Sequence, residues 1–357
     1  MGDPPLRVGL DVTAVLAGAT GVAKYATELL AALERDPRVD PRAFGIGRGP
    51  EPEIDLRRVR VPLRFVQRSW RYARWPTAER IVGAVDVVHS IDIVPPPTRA
   101  PLVITIHDVL PLTHPALYAE RQRRQILRQL ELARDAALVV TTCRATAAEI
   151  TSAVGIGADR LLVAPLGHRP PASVVPRRAI DGPYVLAVGS LTPRKGFLVL
   201  LDALEQLGSS APLLVLAGPD GHEAGSIHER AAALGDRVRI LGRVDDDALE
   251  GLYRHAIALC HPSTAEGFGI PVLEGLGYGV PVIAADIPPV REIASGAALL
   301  VPPGEAEPLA AAIRRLVADP TLRDQLGEDG RRVAAPLTWS AMAGTIIDGY
   351  ERVGGRA

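Results

Sequence analysis

Two segments concentrate residues able to do chemistry. The first, Ser263 to Gly275, sets Glu266 and Glu274 on either side of Gly267, Phe268, Gly269, Ile270 and Pro271. An apolar run ends at His261 just before it, and Pro271 falls where a helix is expected to begin. Gly267 and Gly269 let the backbone approach a ligand closely. The free N–H groups and partial positive charge of a helix start suit a diphosphate or a developing oxyanion. Glu266, in the loop, suits a sugar hydroxyl. Glu274, placed by this reading in the first helical turn, suits the hydroxyls of a ribose. The blander explanation is an ordinary strand–turn–helix whose Glu274 complements the helix dipole. The second segment is Val188-Gly189-Ser190-Leu191-Thr192-Pro193-Arg194-Lys195-Gly196. It also follows an apolar run, and its Arg–Lys pair makes a compact clamp for phosphate. A solvated turn would explain the charges equally well, except that Lys195 is one of only two lysines, with Lys24.

Four further signals are weaker. His107 closes the apolar run Ile104–Ile106 and either faces a cleft or is a satisfied core imidazole, with Asp108 capping the next segment. Thr20-Gly21-Val22-Ala23-Lys24-Tyr25 is a poor G-x-G-x-x-G, which argues against a nicotinamide dehydrogenase. Asp245-Asp246-Asp247 could bind a metal, but Asp247 to Glu250 reads better as a capping box. Leu56 to Ala78 holds seven arginines, no acid, and Phe65, Trp70, Tyr72 and Trp75. On a helix, Leu63, Val66, Trp70 and Ala73 form one stripe and Arg60, Arg64, Arg68 and Arg71 another. This profile fits an anionic membrane surface or an anionic acceptor, or else a solvated amphipathic helix docked on its own sheet. H-E-x-x-H, paired Cys/His clusters and G-x-S-x-G are absent from the sequence.

The elements that position these residues alternate. Strand-like Leu6–Val12 is followed by a helix near Val22–Leu33. Further apolar runs lie at Val87–His89, Leu102–Ile106 and Leu138–Thr142, with helices at Leu117–Ala137 and Ala145–Ser152. After the Pro- and Arg-rich stretch Arg169–Pro183 the alternation restarts, with strands at Tyr184–Gly189, Pro212–Ala217, Val238–Leu241, Ala256–His261 and Val280–Ala285. Short buried runs alternating with helices predict an α/β chain of two doubly wound, Rossmann-like domains. Such sheets bind ligands beyond the carboxyl ends of their strands, where both chemical segments fall. The expected division is residues 1–170, a linker at 171–183, residues 184–335, and a final helix within 336–357.

Composition narrows the classes. The chain has 357 residues, 47% hydrophobic and 23% charged, which suits two cored domains and not disorder. Apolar runs are strand-sized, and Met1-Gly2-Asp3-Pro4-Pro5 lacks a signal peptide's basic start. Cys143 and Cys260 cannot build a disulfide framework, so a reducing cytoplasm is expected. The net charge of −1 gives no pull toward nucleic acid. Residues 1–175 carry 23 Arg/Lys against 18 Asp/Glu and the remainder 17 against 23, so an anionic partner would meet the first half.

Taken in order, these segments resemble the retaining GT-B glycosyltransferases of family 4, almost from end to end. The resemblance is densest over Ala187–Gly196 and Val238–Ile293, and Glu266 to Glu274 matches the family's E-x7-E signature. It implies a GT-B fold, two domains facing across a cleft, with the last helix returning to the first. It implies that Glu266 contacts the donor sugar, with the backbone of Gly267, Phe268, Gly269 and Ile270 around sugar and phosphate. Glu274 would bind the ribose, Arg194 and Lys195 would neutralise the diphosphate, and His107 would face the reacting sugar. Gly21, Gly189 and Ser190 would lie near the donor phosphates and Val244 near the base. Ser190 stands where many relatives carry Arg, and Arg194 would supply that charge. The implied activity is retaining transfer of a hexose, mannose slightly favoured through Pro-Arg-Lys-Gly, from a nucleoside-diphosphate sugar such as GDP-mannose. The acceptor would be a carbohydrate or lipid-linked hydroxyl in glycan, glycolipid or polysaccharide assembly. Neither cofactor nor metal ion is expected. The setting would be cytoplasmic or peripheral on the inner membrane face. A catalytically silent nucleotide-binding subunit and a sugar-nucleotide epimerase stand as alternatives. The sequence leaves the donor, acceptor, linkage and oligomeric state open.

Overall fold

The computed structural model describes residues 4–18, 21–48, 54–91, 94–174, 176 and 179–355. The chain forms two compact units: Met1–Gly167 with Trp339–Ala357, and His168–Thr338. Among the described residues, the first unit holds β1 (Leu6–Asp11), β2 (Val39–Ile46), β3 (Arg57–Val59), β4 (Val87–Ser90), β5 (Leu102–Thr105), β6 (Leu138–Thr141) and β7 (Leu161–Val163). They form one parallel sheet in the order β3-β2-β1-β4-β5-β6-β7. The second unit holds β8 (Tyr184–Val188), β9 (Leu213–Ala217), β10 (Val238–Gly242), β11 (Ala258–His261), β12 (Val282–Ala285) and β13 (Ala298–Val301). Its parallel order is β10-β9-β8-β11-β12-β13. Both are doubly wound sheets. The strand order reverses between β1 and β4 in one and between β8 and β11 in the other, and such a reversal is where a ligand crevice opens.

Central strands such as β8 and β9 are apolar along their whole length because helices cover both faces. In the second unit the helix Phe197–Leu207 buries Phe197, Leu200 and Leu204 against Leu214 and Leu216, beside Ile313 and Leu316 of the helix Ala306–Ala318. The sequence reading missed β2, β3, β7 and β13 and the helix Pro288–Ala294. Pro41 obscures β2. It is tolerated because β3 pairs only with Phe44–Ile46, so β2 has no ladder partner on that side at Pro41. The helix expected over Leu117–Ala137 is shorter, Glu120–Ala133, after a 3-10 turn at Pro115–Leu117. The arginine-rich stretch is not a single helix. It contains β3, the helix Leu63–Ala73 and the start of the helix Ala78–Val82, and Ala73 is exposed rather than part of the buried stripe.

The helix Trp339–Val353 belongs to the first unit and is tied in by a buried polar chain. Tyr350 hydrogen-bonds His89 Nδ1 at 2.6 Å, His89 Nε2 bonds Thr105 Oγ1 at 2.7 Å, and Tyr25 bonds the same hydroxyl at 3.0 Å. Burial, helped by nearby His107, pulls the His89 imidazole down to about 3, so it is neutral at ordinary pH. The unfolded chain takes up that proton near pH 6.5 and the folded chain does not. Stability carried by His89 is therefore complete above about pH 6.5 and falls as pH drops toward 3, by about 1.4 kcal/mol per pH unit. Urea unfolding of the wild type and of His89→Gln at pH 7.5, 6, 5 and 4 should show a shallower fall in the variant, and parallel pH profiles would exclude this origin.

Candidate active site

β8 and β11 are hydrogen-bonded neighbours, with Val185 and Leu186 opposite Ala258 and Leu259. Parallel pairing sends both chains out on the same side of the sheet. The Gly189–Gly196 and Pro262–Gly269 segments therefore start beside each other at the strand-order reversal. They are then fastened together. The Thr264 amide donates to the Arg194 carbonyl at 2.8 Å, and Arg194 Nη1 donates to the Ala265 carbonyl at 3.1 Å. Gly196, at φ +66°, is packed so tightly that a Cβ there would sit 2.3 Å from the Pro262 carbonyl oxygen. Gly189 leaves room for Lys195, whose Cε would lie 3.1 Å from a Cβ at that position.

These contacts converge on one carboxylate. Glu266 Oε1 accepts from Lys195 Nζ at 2.5 Å and lies 3.2 Å from His261 Nε2, while Oε2 accepts from Arg194 Nη1 at 2.7 Å. The Glu266 and Lys195 side chains are each only 8% exposed, whereas Arg194 keeps 30%. Burial alone would push the Glu266 carboxyl up, but Lys195, His261 and Arg194 outweigh it and hold the group well below the usual carboxylate range. Burial pulls the Lys195 ammonium down, aided by Arg194 and opposed by Glu266. The buried Ser263 hydroxyl, in the same loop, has no hydrogen-bond partner among the described residues.

The helix beyond the loop is Ile270–Tyr278, with Gly269 at φ +111° as its N-cap and Pro271 in its first turn. The helix thus begins one residue before the expected Pro271, and Glu274 lies in the second turn, not the first. Glu274 is buried and faces the Tyr253 phenol, which burial and the Glu274 charge push up. The backbone of Gly267 and Gly269 lines the turn, and the Phe268 side chain packs inside. Ser190 and Ile270 are half-buried at the edges of the two segments, and half-buried Val244 follows β10 beyond Gly242. Gly189, Gly218 and Gly242 end three adjacent strands in one row. Gly189 N–H donates to the Ala217 carbonyl and Gly218 N–H to the Gly242 carbonyl. Gly189 was expected here, whereas Gly218, Gly242, His261 and Tyr253 were missed as site residues; a polar residue closing an apolar strand was the available signal for His261.

Gly21 and His107 belong to the first unit. Gly21 opens the helix Gly21–Leu33, and Ala19 and Thr20 before it lie outside the described residues. His107 is two residues past β5. Its ring meets Tyr25 edge-on at 4.8 Å, its buried Nε2 has no hydrogen-bond partner among the described residues, and burial pulls it down to about 4. In the aspartate run the helix cap is Asp245, which accepts from the Ala248 amide at 2.8 Å, and not Asp247. Glu250 is no capping partner; it pairs with Arg254 at 3.0 Å and accepts from the Ala172 amide at 2.8 Å.

A carboxylate held by two cations beside a helix N-terminus can accept a hydroxyl's hydrogen bond while the cations meet an anion. Removing its charge strands Lys195 in a dry site. Glu266→Gln should therefore cost about 3–5 kcal/mol, and Glu266→Gln with Lys195→Met should recover part of that. The Glu266 contribution is complete above about pH 4.3 and drains away as pH falls further, because the folded carboxyl stays ionised below the unfolded one. Urea unfolding in a double-mutant cycle reads both; simple additivity of the two changes would show the pair to be uncoupled.

Two family models match this chain, one on each half: Glycosyltransferase Family 4 over residues 19–169 and Glycosyl transferases group 1 over residues 174–333. O-antigen chain mannosyltransferase B of Escherichia coli is 29% identical over 267 residues, 70% of each chain. A phosphatidyl-myo-inositol mannosyltransferase of Mycobacterium leprae is 32% identical over 179 residues, which span 48% of this chain and 47% of that protein. The solved structure of sucrose-phosphate synthase from Thermosynechococcus elongatus covers 99% of this chain and 100% of its own, with a TM-score of 0.79 and 22% identity, a likeness of fold. With one glycosyltransferase model matching each half and a matching fold throughout, the chain has the two-domain fold of the GT-B glycosyltransferases, its first half similar to Glycosyltransferase Family 4 and its second to the glycosyl transferases group 1.

Proposed function

We propose that this protein transfers a hexose, preferably mannose, from a nucleoside-diphosphate sugar such as GDP-mannose to an acceptor hydroxyl, with retention at the anomeric carbon. The carrying observation is the Glu266–Lys195–Arg194 cluster at the reversal between β8 and β11, beside the helix that starts at Ile270. The mannose preference draws on the two mannosyltransferase relatives. The first is named for an O-antigen chain and the second for a phosphatidyl-myo-inositol, which favours a glycan or lipid-linked acceptor. Transfer takes place on the cytoplasmic side. No described helix is long and apolar enough to cross a membrane.

The difficult step is departure of a diphosphate from a sugar that becomes cationic. Arg194, Lys195 and the amides at the helix start stabilise the charge growing on the leaving oxygen. Those cations meet the need without a metal ion. Glu266 accepts a hydrogen bond from a donor-sugar hydroxyl, and Glu274 holds the ribose. Glu266 is committed to two cations, which suits it to orienting and not to attack. The family resemblance implies that the leaving phosphate takes the acceptor proton on the same face of the sugar, so that the configuration is kept. The family resemblance gives His107 a contact with the reacting sugar, and burial keeps that imidazole neutral, so it acts through hydrogen bonding.

Purified protein with GDP-mannose, UDP-glucose and UDP-N-acetylglucosamine provides the test. The cognate nucleoside diphosphate near 100 Kd should add about 2.7 kcal/mol of stability. Donor turnover should require an acceptor, and Lys195→Ala or Glu266→Ala should lower kcat by roughly 100-fold or more in variants that still fold. Unchanged turnover in both variants would overturn the assignment. Donor conversion without acceptor would indicate the epimerase, and nucleotide binding without any turnover the silent subunit.

A further inference from the structure

The helix Leu63–Ala73 is built on two unlike faces. Val66 and Trp70 point inward and pack against Ile46. At 100° per residue, the opposite face carries Arg64, Arg68 and Arg71 and, beside them, Phe65 and Tyr72. This outward face is exposed: Phe65 is 55% accessible, Tyr72 72%, and Trp75, just past the helix, 56%. The guanidinium of Arg64 lies 5.0 Å from the centre of the Phe65 ring, and those of Arg71 and Arg68 lie 5.4 and 5.8 Å from Tyr72. Trp75 is held in place, since Ser69 Oγ donates to its carbonyl at 2.5 Å and Trp70 Nε1 donates to the Pro76 carbonyl at 2.9 Å. Trp75 and Pro76 also border a cavity of about 480 Å³ that includes Arg57 and Arg80.

Single exposed aromatics are ordinary, and exposed arginines are usually just solvated. Here two aromatics and three arginines share one face, with exposed Trp75 just past its end, and no acid lies between Leu56 and Ala78 to balance them. Burying the aromatics in a dry protein interface would strip water from the arginines as well. A bilayer surface of anionic lipid makes no such demand. Aromatic rings settle at headgroup depth while guanidinium groups stay hydrated against phosphates.

We propose that this face docks the protein on an anionic lipid bilayer, with Phe65, Tyr72 and Trp75 at headgroup depth and Arg64, Arg68 and Arg71 against lipid phosphates. The cavity beside Trp75 then receives one phosphate headgroup between Arg57 and Arg80. This docking is independent of the transfer chemistry assigned to the second unit, and neither fails with the other.

Vesicles of phosphatidylcholine, with and without 30% phosphatidylglycerol, provide the probe in a sedimentation assay with the full chain. The wild type should pellet with the anionic vesicles, not with phosphatidylcholine alone, and should be released by raised salt. Arg64→Gln, Arg68→Gln and Arg71→Gln together should weaken binding on the order of a hundredfold. Phe65→Ser with Tyr72→Ser should weaken it separately, and both variants should retain the wild-type nucleotide-induced thermal shift. Should a variant misfold, wild-type tryptophan quenching by brominated phosphatidylglycerol, lost in Trp75→Phe, reads the same contact. Equal binding to both vesicle types, absence of binding at low salt, or wild-type binding by the triple arginine variant would each overturn the proposal.

Discussion

A carboxylate shared by two cations in a dry place is the interaction on which the second unit's site depends. Isolated, any of the three charges would be too costly to bury there. Together they form a paired set with one positive charge to spare, and their geometry follows from sheet order. Because β8 and β11 are adjacent and parallel, the segments carrying Arg194, Lys195 and Glu266 leave the sheet side by side although some 70 residues separate them in sequence. Gly189 and Gly196 then decide whether the lysine and the two backbones can approach. The site is thus a product of topology first, of glycines second and of charge third.

The first unit buries polar groups by the opposite means. Its chain of Tyr350, His89, Thr105 and Tyr25 carries no net charge, because burial keeps the imidazole neutral. Neutral hydrogen bonds avoid the desolvation that ions incur, and they bind the last helix to a sheet built from the beginning of the chain. His107 lies beside Tyr25 in that environment and is itself neutral, with its Nε2 left without a partner among the described residues. One unit therefore buries a charged set and the other an uncharged imidazole.

The α/β pattern was legible where strands are continuous apolar runs, as at β8 and β9, and where apolar residues alternate, as at β1. It failed at the edge strands β3, β7 and β13 and at the proline-containing β2, while the edge strand β10 was read. Edge strands bury one flank less and need no uninterrupted apolar run. The caps were misplaced by a residue or two, at Gly269 and Asp245, because several acids and glycines compete locally and only the hydrogen bonds choose among them. Glu266, Glu274, Arg194 and Lys195 were conspicuous by type and spacing. His261 and Tyr253 were not, because an isolated polar residue in an apolar run looks the same whether it faces a core or a carboxylate.

By itself, the sequence determined the two sheets of alternating elements, the residue types available at their carboxyl ends, and the bias of positive charge toward the first half. Only the tertiary structure decided that Glu266 is held by Lys195 and Arg194 together, that Glu274 turns toward Tyr253, and that Phe65 and Tyr72 face outward while Val66 and Trp70 face in. The physical reason is the same in each case. Local pattern sets which residues share a strand end or a helix face, but pairing across the sheet and burial against a neighbour set which of those groups meet and which meet water.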